Sequence, residues 1–215
     1  MKLDLSNVTA ICIDGRPVDA ARQANYQTIL KYMLSCVTFG KIKMMSLEDP
    51  KVAGVEFIQA QPMTIDDYSQ FCINKLHSYV NTDFCLIFQD DGFILNPELW
   101  SDDFFKYDYI GSPWPLYIGW PKVGEQVGNG GFSLRSKKLL EFTKNLKCTA
   151  NEDVLIASVY KNEIANAGLV IAPVELATKF SIEIPMDNMH GPTNTFGFHA
   201  KHLVEEAFKI INNKL

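Results

Sequence analysis

The sequence has little that would tie it to nucleic acid, to a membrane or to a disulfide scaffold. Lysine and arginine do not cluster: the densest local group is Arg135, Lys137 and Lys138, and 20 basic against 25 acidic residues leave a net charge of −5. That argues against a dominant nucleic-acid footprint, which needs a concentrated basic face. No apolar run approaches membrane-spanning length, and the opening Met1-Lys2-Leu3-Asp4-Leu5-Ser6 lacks the marks of a signal peptide. The five cysteines (Cys12, Cys36, Cys72, Cys85, Cys148) are odd in number, scattered and without a C-x-x-C pair, so neither a zinc ribbon nor a thioredoxin-type site is written here. Cys12, Cys72 and Cys85 lie in apolar runs, where a free thiol acts as a small hydrophobe. A reducing compartment, the cytoplasm, fits this usage. No repeat, low-complexity tract or linker breaks the 215 residues, which suit one domain, either alone or within a longer native chain.

What is present is an ordinary globular balance, 47% hydrophobic and 21% charged. "NVTAICIDG" (7–15) is a β-branched run ending in Asp-Gly and reads as a buried first strand. A helical period follows from Pro17 to Cys36, then strands at 38–46 and 55–60. "TIDDYSQFCINKLHSYV" (64–80) reads as a helix opened by a Thr64/Asp67 capping box. A further strand, Phe84 to Phe88, runs into Gln89. Strand, helix, strand, strand, helix, strand predicts an α/β domain with a mixed, mostly parallel central sheet and helices on both faces. Ligands gather at the carboxyl ends of such strands, which places Asp14 and the Asp90/Asp91 pair on one edge. The second half is expected to hold helices at 136–146 and 151–168, strands across 168–184 and a last helix with Leu203, Val204, Ala207, Phe208 and Ile211 on one face.

Each chemically suggestive motif has a plain structural counterpart. "FQDDGF" is a hairpin turn, or a carboxylate pair holding a divalent cation at a strand end. The glycines of "VGNGGFSLR" (127–135) serve a bulge, or let backbone approach a ligand beside the Asn129 amide. No Gly-Lys-Ser/Thr follows them, so this is not a P-loop. Glu152 and Asp153 suit the dipole of a helix start, and equally a general base held at a cleft. His199 is a packed histidine, or an imidazole ligand for a metal already held by carboxylates. Arg16 is a solvated loop charge or a nucleotide contact. The aromatic stretch from Trp114 to Trp120 is core packing or a wall for a sugar.

The order of these landmarks, "QDD" at 89–91, "GNGG" at 128–131, "NED" at 151–153 and His199, resembles that of the GT-A glycosyltransferases across nearly the whole chain. "YDYIGSPW" and "VGNGGFSLR" liken it to a small GT-A family that includes glycosyltransferase domains of large algal viruses. The resemblance implies a single domain over residues 1–215, with a nucleotide-binding half (1–92) and an acceptor and catalytic half (93–215). It implies a hexosyl- or deoxyhexosyltransferase of glycan biosynthesis. Such an enzyme would move sugar from a nucleotide-diphosphate donor, UDP-linked, to a glycan or glycoprotein hydroxyl with inversion. Mn²⁺ or Mg²⁺ would be held by Asp91 and His199, with Asp153 as base. Asp14, Arg16, Gln89, Asp90, Asn129 and Gly130 would face the donor, and the aromatic stretch the acceptor. Gln89 departs from the family's acidic first position, which lowers the charge at the metal. The competing readings are a non-catalytic, metal-dependent sugar-binding module and a sugar-nucleotide nucleotidyltransferase, for which "DGRPVD" is poor in glycine.

Overall fold

The structure, a computed structural model, describes residues 2–115, 126–184 and 192–214. β1 (Leu3–Asp14) is buried over its last seven residues, as a strand covered on both faces must be. Its side chains divide by alternation. Val8, Ala10 and Cys12 pack with Tyr26, Ile29, Leu30 and Met33 of α1 (Ala20–Cys36), whereas Ile11 and Ile13 pack with Phe71 and Cys72 of α2 (Ile65–Asn74). β4 (Phe84–Phe88) divides in the same way, Leu86 and Phe88 to the first side, Cys85 and Ile87 to the second.

β2 (Val37–Ser46) and β4 flank β1 in parallel, and β3 (Glu56–Gln59) extends β2. The order is β3-β2-β1-β4-β8-β5, where β5 is Tyr109–Ile110 and β8, Ser133–Ser136, runs antiparallel to both its neighbours. The six-stranded, mostly parallel sheet therefore draws strands from both halves of the chain. α3 (Lys137–Thr143) joins α2 on one face, and α7 (Val204–Asn212) brings Ala207 and Ile211 to the other. Among the described residues no helix is long and apolar enough to cross a membrane.

Smaller pieces finish the second half. β6 (Pro113–Trp114) pairs with β7 (Gln126–Val127), and β9 (Ser181–Ile182) with β10 (Gly197–Phe198). The expected helix over 151–168 is real but interrupted: α4 (Glu152–Val154) passes through a π turn, Leu155–Val159, into α5 (Lys161–Asn166). The strands expected across 168–184 are mostly absent. Val174–Phe180 forms α6, entered from Pro173, which lends no N–H to a strand ladder but is harmless before a first helical turn. Ala177 and Phe180 are its buried side, three residues apart. Likewise α1 begins at Ala20, not Pro17, because the Asp19 carboxylate caps it through Arg22 N–H.

Candidate functional site

A cavity of about 340 Å³ opens at the carboxyl ends of β1 and β4, lined by Asp14, Arg16, Gln89, Asp153 and His199 among others. At its β1 end the Asp14 carboxylate has filled its acceptor positions. Oδ1 takes Arg16 N–H at 2.9 Å and Arg16 Nε at 2.8 Å, while Oδ2 takes Arg16 Nη2 at 3.1 Å and the Tyr26 hydroxyl. Burial would raise this carboxyl; the bonds from Arg16 and Tyr26 outweigh it and hold it below the usual range. Arg16 also reaches Asp90 Oδ1 at 2.7 Å, and Arg22 Nε reaches Asp90 Oδ2 at 3.1 Å. Arg16 is thus neither a free loop charge nor wholly open to a ligand: it is an oriented guanidinium between two carboxylates.

After β4 the chain reverses on Asp90-Asp91, closed by Gln89 N–H to Gly92 O at 2.6 Å and Gly92 N–H to Gln89 O at 3.2 Å. The turn is real, and it divides the two carboxylates. Asp90 faces the arginines. Asp91 faces His199, whose Nε2 lies 3.5 Å from Asp91 Oδ1 and 3.1 Å from Gln89 Oε1. Asp91 Oδ1 is buried and receives no hydrogen bond among the described residues. Burial would lower the imidazole's affinity for a proton, but Asp91 raises it above its ordinary value. His199 is wedged between Gly92 and Gly131, where a Cβ would lie 2.6 Å and 2.1 Å from ring atoms. Its backbone is pinned as well, by its N–H to Ile182 O at 2.9 Å and by Ala200 N–H to Asp91 O at 2.8 Å.

Two protein ligands suit a hard cation that also takes phosphate oxygens. Asp91 and His199 are the two that would hold such a cation, with the Gln89 amide oxygen beside them, and the orphaned Asp91 Oδ1 is the position it would satisfy. Among the described residues no third His, Cys, Asp or Glu completes a set of three.

Across the cavity, Asp153 at the start of α4 is held by two backbone donors, Val154 N–H to Oδ1 at 2.8 Å and Gly130 N–H to Oδ2 at 3.1 Å. A carboxylate has about four acceptor positions, so with two filled Asp153 keeps capacity for a further proton donor. Its neighbour Glu152 turns inward to Arg135, Nη2 to Oε1 at 3.2 Å, with Arg135 wholly buried.

Residues 53–199 match the family described as "Protein of unknown function (DUF5672)". The chain belongs to the DUF5672 family. No curated protein matches it in sequence. Among solved structures, it is similar to a glycosyltransferase involved in the glycosylation of the major capsid of PBCV-1, at 10% identity, with 96% of this chain and 98% of that one covered and a TM-score of 0.51. It is equally similar to CMP:2-keto-3-deoxy-manno-octonic acid synthetase complexed with CTP, at 12% identity, 97% and 99% coverage and 0.51. The glycosyltransferase GlyE of Streptococcus pneumoniae TIGR4 aligns at 12% identity and 0.46, over 95% of this chain, which spans 59% of GlyE. Identities this low speak to fold alone, and the GT-A-type α/β fold is the one observed.

The DUF5672 segment holds Gln89, Asp90, Asp91, Asn129, Gly130, Asp153 and His199; Asp14 and Arg16 precede it. Asn129, in a left-handed conformation at φ 59°, is buried and gives its amide to His199 O at 3.4 Å, behind the cavity. Gly130 also stands behind, as a donor to Asp153. Trp114 is buried against Gly128, where a Cβ would lie 2.2 Å from its ring, so it packs the core; Trp120 lies outside the described residues. Glu183 passes unnoticed in the apolar run "FSIEIP". Burial raises its carboxyl above the usual range, while His199 and hydrogen bonds from Asn129 and Trp114 oppose this. Arg135, too, shows in the sequence only as one basic residue among three.

Proposed function

We propose that the chain is a metal-dependent glycosyltransferase, transferring a sugar from a nucleotide-diphosphate donor, UDP-linked, to a glycan hydroxyl with inversion. One observation carries the reading: one cavity at the strand ends is lined by Gln89 and by His199, with Asp91 beside the imidazole, and by the Asp153 carboxylate, fixed by two backbone donors. Mn²⁺ or Mg²⁺ bound to Asp91 and His199, with Gln89 Oε1 beside them, would neutralise charge on the departing diphosphate. Asp153 takes the proton of the acceptor hydroxyl as its oxygen bonds to the anomeric carbon. The bond from that carbon to the diphosphate oxygen breaks on the opposite face, and a single displacement inverts the centre. Arg16, neutralised by Asp14 and Asp90, suits the uncharged nucleoside part of a donor better than its phosphates.

A sugar-nucleotide synthetase is the second reading, favoured only by the equal likeness to the CTP-bound enzyme. The test is a thermal-shift screen of UDP-sugars with Mn²⁺ and with EDTA, coupled to assays for released UDP and pyrophosphate. The expected result is a donor that raises the midpoint only with Mn²⁺ and yields UDP. Asp153→Asn should keep that shift and lose UDP release by about 10²–10⁴-fold. No donor shift, or pyrophosphate release from a nucleoside triphosphate and a sugar, would overturn the reading.

A further inference from the structure

Arg135 has no exposure and Glu152 almost none; Glu152 lies at the cavity wall, but its carboxylate is bonded away from it to Arg135. Arg135 comes from β8. Its Nε meets Ser133 Oγ at 3.1 Å, its Nη2 meets both Glu152 Oε1 at 3.2 Å and Gly130 O at 3.4 Å, and its guanidinium carbon sits 5.5 Å from the centre of the Tyr109 ring. Ser133 Oγ donates to Gly130 O at 3.0 Å, and Ser69 Oγ approaches Glu152 Oε2 at 3.4 Å. Nη1 is buried with no hydrogen-bond partner among the described residues. Such an arrangement is expensive for stability alone: a buried ion pair can often be exchanged for apolar side chains at no loss, and an unsatisfied N–H adds a further cost.

The geometry around Gly130 shows what the pair controls. A Cβ there would lie 1.7 Å from Glu152 Oε1, so the Glu152 carboxylate occupies the space that the missing side chain leaves. The Gly130 carbonyl is held by Ser133 and Arg135, while the N–H of the same residue donates to Asp153 Oδ2. Glu152 precedes Asp153 directly and anchors the first turn of α4 to β8. Both supports of the Asp153 carboxylate, the Gly130 N–H and the helix start, are therefore tied to one guanidinium.

We infer that Arg135 and Glu152 form a positioning pair, which fixes the glycine turn against the start of α4 and so aims the Asp153 carboxylate at the acceptor hydroxyl. The inference rests on the proposed glycosyl transfer with Asp153 as base. Neither residue exchanges a proton with substrate; the buried Glu152 carboxylate is spent on Arg135 and Ser69. Misplacing a reacting group by about 1 Å can cost on the order of 10²-fold in rate.

The test compares three variants by kcat, donor affinity and thermal midpoint, using the UDP-sugar and Mn²⁺ of the screen. Glu152→Gln keeps the side-chain shape and removes the charge. Arg135→Met/Glu152→Leu replaces the pair with apolar packing. Asp153→Asn reports on the base. Glu152→Gln should keep donor affinity within about twofold and lose about 10- to 100-fold in kcat. The double variant should show the same loss even with its midpoint at or above wild type. Wild-type kcat in a folded Glu152→Gln, or failure of both variants to fold, would overturn the positioning role and leave the pair structural. If Asp153→Asn itself retains wild-type kcat, the functional reading falls; if only Glu152→Gln does, the positioning inference falls alone.

Discussion

A Cβ on Gly131 would lie 2.1 Å from His199 Nε2, and one on Gly92 would lie 2.6 Å from Cδ2 of the same ring. The imidazole is thus located by the absence of two side chains, and its proposed role as ligand depends on that absence. Gly131→Ala should push the ring away from Asp91, and Asp91→Ala should remove the carboxylate. Both are expected to reduce donor affinity in Mn²⁺ to its value in EDTA, read by thermal shift; a surviving Mn²⁺ dependence in Asp91→Ala would remove the metal assignment. Of the cavity's lining, Asp14, Arg16, Gln89, Asp153 and His199 could be picked out in the sequence by type and by chain order; Met63, Ile65 and Tyr68 could not, nor could the partners of any of them. Family resemblance alone separates Asp91, as the metal position, from Asp90; folding adds that Asp90 is spent on Arg16 and Arg22 while Asp91 lies beside His199. Asn129 and Gly130 invite a ligand on paper, whereas their real neighbours are His199 O, Asp153 and Glu152. A glycine announces close approach without saying of what.

At the level of elements, α2 was legible because its signals are local. Thr64 Oγ1 accepts Asp67 N–H at 3.2 Å, and Asp67 Oδ2 accepts Thr64 N–H at 2.9 Å, as the capping-box pattern requires. Thr64→Ala should cost about 1 kcal/mol in urea unfolding. A loss below a few tenths would mean that packing of Phe71, Cys72 and Ile73 alone holds the helix start. The same reasoning failed on 168–184, where valine and isoleucine suggested strands. Tertiary contact overrides such weak preferences, and Pro173 starts α6 where a ladder would have needed its N–H. The π turn after α4 was also invisible: no local signal marks it, although its Leu155, Ile156 and Ala157 are all buried.

Over the molecule as a whole, the parallel sheet was readable from alternation and from the order of strands and helices. The second half was not, because its core is assembled from distant pieces. Phe132, Phe180 and Phe196 are fully buried, with ring centres 5.2 to 6.0 Å apart, and they come from the approach to β8, the end of α6 and the segment before β10. Phe132→Ala should cost about 3–5 kcal/mol. Because β8 is bonded to β4, the loss should appear in one unfolding transition shared by tryptophan fluorescence and far-UV circular dichroism; two separated transitions would show that the halves unfold independently.

The seat of His199 has a consequence for the order in which the protein is made. Gln89 and His199 are 110 positions apart, and the Asp91 carbonyl is met by the N–H of Ala200. A chain emerging from the ribosome can pair β1 to β4 and close the Asp90-Asp91 turn while the imidazole that completes the pocket is still unsynthesised. The parallel strands can be finished early; the proposed ligand pair is assembled only once the tail has docked, so any capacity to hold an ion arrives last.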